Sequence, residues 1–336
     1  MCCYNQGKQT VCDLNKKQHG YGSSSNSPDT EHINIFVNLV KGQVSEIMPV
    51  GDHCQVKASG MIIDWLTDVN QSQSIEWLKS NASEKDKGDA NGSLFVLSLH
   101  PDNAAAEALY ELAKNNAGDH SEQAVFWLGQ REYDGFDRLK SLYQVLPKGE
   151  VRRKLNFALS QNQQSEATDL LKSIAQHDED SEQQADAIFW LSQTDDVAGL
   201  PSFLVNLMND SNSPEVKEKA IFSLSQIDND TANDELMQLV KDHDDVQVRE
   251  KALFWLAQNS PQKAKKAALN LLDSDHSQSE QENAVFILSQ LPNQQSSQAL
   301  FDIVKGNYSR DIKKKALFWL SQSDDSLVLS QLEEML

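Results

Sequence analysis

The chain has 336 residues, 39% of them hydrophobic, and carries 50 acidic against 30 basic side chains for a formal net charge of −20. That length supports one large core or a long stack, but no run approaches the roughly 20 apolar residues of a membrane-spanning helix, so membrane insertion is not expected. The acidic surplus repels nucleic-acid phosphates and anionic lipid, which sets nucleic acid aside as a partner.

Four cysteines, Cys2, Cys3, Cys12 and Cys54, fall in the first sixth of the chain. Such clustering points to a locally stapled segment. Two disulfides would allow three connectivities and need an oxidising compartment, whereas free thiols would suit a reducing one. The spacing lacks the paired C-x2-C knuckles of a zinc site, so no metal is expected, and His53 beside Cys54 is the one cluster worth testing for it. Met1-Cys2-Cys3 has neither a basic n-region nor an apolar h-region. A periplasmic or secreted location with the signal missing from this chain is the favoured expectation, with the cytoplasm as the alternative.

Residues 20–30, "GYGSSSNSPDT", read as a flexible linker. Three runs rich in Ile, Val and Phe follow at 32–40, 41–50 and 53–60, separated by Lys41-Gly42 and Gly51-Asp52 turn signals, and predict a small antiparallel sheet. "SQSIEWLKSNA" (72–82) predicts a short helix burying Ile75, Trp77 and Leu78, and a charged stretch at 83–92 leads onward. The expected division is a β-rich, cysteine-containing cap over 1–82 and a helical array over 83–336.

The array announces itself by repetition. "QAVFWLGQ", "DAIFWLSQ", "EKALFWLAQ" and "KKALFWLSQ" align on a phenylalanine that recurs at Phe95, Phe126, Phe157, Phe189, Phe222, Phe254, Phe286 and Phe318, every 31 to 33 residues. A period this regular marks a stacked-repeat architecture. Each period holds two amphipathic helical patterns, parted by turns such as "NDSNSPE" (209–215), "DHDD" (242–245) and "DSDHSQS" (273–279) that offer N-cap oxygens.

"VKEKAIFSLSQ" (216–226), "VREKALFWLAQ" (248–258) and "IKKKALFWLSQ" (312–322) resemble the second helix of a HEAT repeat. They are similar to the short bacterial form, including repeats of the phycobilin-lyase type and of exported bacterial proteins. The resemblance implies a mostly α fold, a right-handed α-solenoid of about eight HEAT-like helix pairs preceded by a small antiparallel β element. It also implies that basic residues in the first turn of the second helix pair with aspartate. The copies at 120–130, 183–193 and 280–290 lack the valine that opens this helix, so those helices are expected to start late or fray.

Counting the second helix from Val248 as position 0, with 100° per residue, positions 0, 4, 7 and 8 share one side, the expected core. Position 8 is leucine in all eight copies. Position 7 alternates Trp127, Trp190, Trp255 and Trp319 with smaller residues, as expected if each tryptophan fills a gap between repeats.

Position 6 projects away from that core. With the glutamines of position 10 and lysines of position 3 it makes a candidate partner-binding strip: Phe126, Gln130, Phe157, Gln161, Phe189, Gln193, Phe222, Gln226, Phe254, Gln258, Phe286, Gln290, Phe318 and Gln322, with Lys154, Lys219, Lys251 and Lys315. One reading is a concave peptide groove in which Gln meets a bound backbone and Phe its side chains. The other has Phe wedged between repeats and Gln closing the open carbonyls of neighbouring helix ends. The basic residues Arg152, Arg153, Lys217, Arg249, Lys313 and Lys314 are expected in structural ion pairs.

There is no phosphate-cradling glycine loop, nucleophile elbow or H-E-x-x-H, and the eight histidines are scattered. The expectation is therefore a non-enzymatic scaffold for a protein or peptide partner, with no catalytic residues and no cofactor. A lyase-like or cofactor-handling protein and a structural module of an envelope complex are the alternatives.

Overall fold

The structure is a computed structural model that describes residues 2–5, 8–15, 21–22, 32–83, 88–115, 118–131, 134–194, 199–273, 276–292, 294–323 and 328. The chain divides into two compact units, Met1–Leu171 and Lys172–Leu336.

The first unit begins with short strands: β1 (Cys2–Asn5), β2 (Lys8–Thr10), β3 (Cys12–Asp13), β4 (Tyr21–Gly22), β5 (Ile33–Val40), β6 (Gln43–Gly51) and β7 (Val56–Lys57). β1 lies between β2 and β4, and β5 pairs with β6 as an antiparallel hairpin that sets Val37 opposite Ile47. Its two-residue turn, Lys41-Gly42, takes positive φ at both positions, the mirror-image geometry that matches strand twist. The third expected strand shrinks to Val56–Lys57 and pairs parallel with β3 instead of extending the hairpin. Residues 23–30 of the expected linker lie outside the described residues, while 21–22 form β4.

A small core of Cys3, Cys12, Leu14, Met48 and Val50 fixes this module, with Phe36, Cys54, Ala58 and Met61 packed around it. A Cys3–Cys12 disulfide runs through it, and Cys54 is also disulfide-bonded. These thiols are therefore committed to sulfur and cannot serve the metal cluster considered for His53, whose Nδ1 lies 3.5 Å from Asp52.

Three helix pairs complete the unit: α1 (Gln71–Ser83) with α2 (Ala90–Leu99), α3 (Asn103–Asn115) with α4 (Asp119–Gly129), and α5 (Gly135–Val145) with α6 (Glu150–Ser160). First helices pack side by side in one layer and second helices in another. α1 packs against α2 and α3 in the manner of a first helix of a pair. It buries Ile75 and Leu78 but leaves Trp77 41% exposed, contrary to expectation, because Trp77 lies on the opposite flank of the helix. The charged stretch before α2 is a joint rather than a spacer. Asp89 caps α2 through Gly92 N–H, and its other oxygen accepts from Ile47 N–H of β6 at 2.9 Å.

The unit boundary falls inside α7 (Ser165–His177). The second unit contains α8 (Ser181–Leu191), α9 (Leu200–Asp210), α10 (Pro214–Gln226), α11 (Asp230–Asp242), α12 (Val246–Asn259), α13 (Pro261–Leu272), α14 (Gln278–Ser289), α15 (Gln294–Lys305) and α16 (Arg310–Ser321). Again the odd-numbered helices form one layer and the even-numbered helices the other. This is α-solenoid architecture of HEAT-like pairs. Ser213, Asp245 and Ser277, drawn from the three turns named above, cap α10, α12 and α14 with their side chains.

The helices lacking the opening valine do not start late. α4, α8 and α14 begin at Asp119, Ser181 and Gln278, ahead of position 0. In α14 the valine's place is taken by buried Glu280, which is tolerated because Ser277 and Arg249 satisfy its carboxylate.

Candidate functional site

Position 5 of the second helix belongs to the core. Leu94, Val125, Asn156, Ile188, Ile221, Leu253 and Val285 are buried there, as are positions 4 and 8, while Leu317 of α16 is 39% exposed. The buried arc is thus centred nearer position 8 than the side expected, and position 7 falls on its edge. Trp127, Trp190, Trp255 and Trp319 are accordingly only half-buried.

The edge has a purpose. Trp127, Trp255 and Trp319 each reach across to the phenylalanine of the preceding repeat while also touching their own, and Trp190 touches its own Phe189. In the first unit Trp127 lies 4.7 Å from Phe95 and 4.8 Å from Phe126, ring centre to ring centre. In the second, Trp255 contacts Phe222 at 5.4 Å and Phe254 at 5.1 Å, and Trp319 contacts Phe286 and Phe318 at 5.2 and 5.1 Å. Where position 7 is small the phenylalanines meet directly. Phe126 stacks on Phe157 beside Ala158, and Phe189 on Phe222 beside Ser223, at 5.8 and 6.4 Å. The alternation of large and small residues therefore makes an aromatic ladder of edge-on and stacked steps.

This ladder faces solvent on one side. Phe126, Phe157, Phe189, Phe222 and Phe286 are half-buried, while Phe254 and Phe318 are 42% and 53% exposed. Beside it Gln130, Gln161, Gln193, Gln226, Gln258, Gln290 and Gln322 are all exposed.

The glutamines do not close neighbouring helix ends. Position 9 is serine in most copies, and its hydroxyl donates to the phenylalanine carbonyl three residues back, as Ser192 does to Phe189 at 2.7 Å. The glutamine amide then donates to that serine, at 3.1 Å for Gln193 and Gln290 and 3.2 Å for Gln226. Gln161 and Gln322 make the same bond at 3.4 Å. In these five copies the serine holds the glutamine amide.

Helix ends are closed from position 11. Arg131 donates to the carbonyls of Leu97 and His100 at 3.1 and 2.7 Å, Asn162 to Gly129 and Arg131, and Asn259 to Ser225 at 2.7 Å. Each reaches back to the preceding repeat. Sequence reading missed this because the residue type varies from copy to copy.

The lysines of position 3 are occupied. Lys154, Lys251 and Lys315 pair with Glu122, Glu218 and Glu282 at 3.7, 2.5 and 3.0 Å, each acid being at position 2 of the preceding second helix. Where Ala185 stands at that position, Lys219 instead lies over the Phe189 and Phe222 rings at 5.4 and 5.7 Å. Lys217 binds Asp245 and Arg249 binds Glu280, again between adjacent repeats. Arg152 covers the Tyr143 ring at 4.5 Å, Arg153 pairs with Glu150 and Lys314 with Asp311. The strip is thus an aromatic ridge beside exposed amides and lysines that are paired with acids or lie over rings. Among the described residues no group of three His, Cys, Asp or Glu could hold a metal ion.

Residues 201–279 match the family described as HEAT repeats. No curated protein matches the sequence. Among solved structures the chain is similar to human deoxyhypusine hydroxylase in complex with glycerol, with 14% identity and a TM-score of 0.30 over 74% of this chain and 95% of that one. It is similar to YibA of Escherichia coli, with 16% identity and a TM-score of 0.40 over 77% and 100%. The CpcE–CpcF complex of phycocyanin lyase from Nostoc shows 15% identity and a TM-score of 0.27 over 82% and 100%.

Proposed function

We propose that the chain is a non-enzymatic interaction scaffold that binds a protein or peptide along the solvent face of its second helices, without a cofactor. The observation that supports this reading is a partly exposed phenylalanine set beside an exposed glutamine in seven repeats, the glutamine being oriented by a serine in five of them. Aromatic rings supply contact area at low entropic cost, and a fixed amide can meet a ligand's backbone. The concave face expected of such a stack would present this strip to an elongated ligand.

Selection of a displayed random-peptide library on the full chain tests the reading. Selected peptides should lose about tenfold or more in affinity for a Phe254→Ala, Phe318→Ala double variant, since exposed aromatic anchors dominate such interfaces. Gln258→Ala with Gln322→Ala should weaken the same peptides. Undiminished binding to both variants would remove the strip from the function.

A further inference from the structure

Exposed apolar surface is concentrated far from the aromatic ladder. Of the seventeen large apolar side chains exposed among the described residues, twelve lie between Val11 and Trp77. Two features account for most of them. β5 turns Ile35, Val37 and Leu39 outward from one face, at 38%, 38% and 59% exposure, although it carries no charge and no proline. Residues 62–70 then run without regular structure and are exposed throughout, with Ile62 at 92%, Trp65 at 65% and Leu66 at 79%. Trp65 meets Phe36 edge-on at 5.7 Å, which sets this strap beside β5.

β5 is also an open edge. The hairpin is two-stranded among the described residues, so every second residue of β5 directs its N–H and C=O away from β6. Edges this long and uncharged are normally blunted by lysine, proline or a covering segment, because they template the addition of another strand. On the β6 side the same face is covered: Ile47 and Pro49, the partners of Val37 and Ile35, are buried, and Ile47 is fastened to Asp89. Among the described residues nothing covers the β5 side of that face.

Charge selects the occupant. The strap carries exposed Asp64 and Asp68 among its apolar residues, within a chain of net charge −20. Two copies of so acidic a chain repel, and a lipid surface would have to desolvate both carboxylates. We propose that the β5 edge and the strap at 62–70 accept an extended segment of a partner protein that alternates apolar with basic residues. Its backbone would pair with β5, its apolar side chains would continue the Ile35–Val37–Leu39 row, and its basic ones would meet Asp64 and Asp68.

Fluorescence anisotropy on the full chain tests this with three synthetic peptides of about ten residues, enough to span the edge. They alternate valine with lysine, valine with glutamate, or valine with N-methylated valine and lysine. The lysine peptide should bind, about tenfold or more weaker with Val37→Lys, which places a like charge at the edge. N-methylation of the pairing amides should weaken it about a hundredfold by removing several main-chain hydrogen bonds. Circular dichroism verifies that Val37→Lys is folded, and the Phe254→Ala, Phe318→Ala variant should bind the peptide as the parent does. Equal binding of the glutamate peptide or indifference to N-methylation overturns the proposal. So does a concentration-dependent dimer abolished by Val37→Lys, or partition of the chain onto phosphatidylcholine–phosphatidylglycerol vesicles.

Discussion

Arg249 in one repeat grips Glu280 in the next, Nη2 to Oε1 at 2.5 Å, with both side chains largely withdrawn from solvent. The same guanidinium also donates to the backbone carbonyls of His243 and Asp244. Glu280→Ala should therefore cost about 3 kcal/mol by leaving a buried cation unpaired, and Glu280→Gln somewhat less. Urea unfolding of the full chain measures both, and a cost below that of an ordinary surface substitution would contradict the geometry.

Acid should act in two stages. Burial lowers the affinity of His100 and His243 for a proton below the usual histidine value of 6.5. The unfolded chain takes up those protons more readily, so stability falls as pH drops below about 6.5. For Glu280, burial alone would raise the carboxyl, but the Ser277 hydroxyl and the Arg249 guanidinium outweigh it and hold it below 4.5. Its contribution is complete above that value and is lost as pH falls through the lowered one. Melting temperature against pH should show both declines, and His243→Gln should flatten the first.

Arg131 is 7% exposed and closes the end of α2 while pairing with Asp134 at 2.6 Å. Arg131→Ala should cost about 3 kcal/mol, since a partly buried carboxylate partner and several carbonyls lose their donor together. Hydrogen exchange should accelerate first at residues 97–102.

The ladder predicts a size rule. Trp255→Ala should cost about 2 kcal/mol, below the roughly 3 to 5 of a fully buried tryptophan, because the ring is half open. Ala158→Trp should also destabilise, by about 1 to 3 kcal/mol, because a new indole displaces the Phe126–Phe157 stack. Denaturant midpoints decide both.

Reduction should loosen the β module and spare the helices. The Cys3–Cys12 link closes a short loop worth about 2 to 3 kcal/mol in the chain-entropy view, and it runs through the small core beneath β6. Ellipticity at the helical minimum should hardly change after thiol reduction, while limited proteolysis should cut before α1.

The solenoid was legible because repetition is visible in one sequence: eight phenylalanines at near-constant spacing and capping residues in the turns between. The division of labour within each repeat was harder to read. A helical wheel describes an isolated helix, yet α4, α10, α12 and α14 each have a second-helix neighbour on both flanks, so their position 5 is buried and position 7 lies at the shared edge. The uniform glutamines drew attention to the wrong donors. Variable Arg131, Asn162 and Asn259 do the closing, and the serines that orient the glutamines are too common a residue to stand out. The β5 edge gave no signal beyond strand propensity, because exposure depends on what the fold leaves uncovered.

The backward reach of those three side chains gives the stack a direction. Removing a repeat from the carboxyl end unlatches the one before it, whereas trimming from the amino end leaves a latch with nothing to hold. Deletions from the two ends should therefore fail differently, the first by fraying helix ends that have lost their donor and the second by leaving Arg131, Asn162 or Asn259 at the new end without its acceptor.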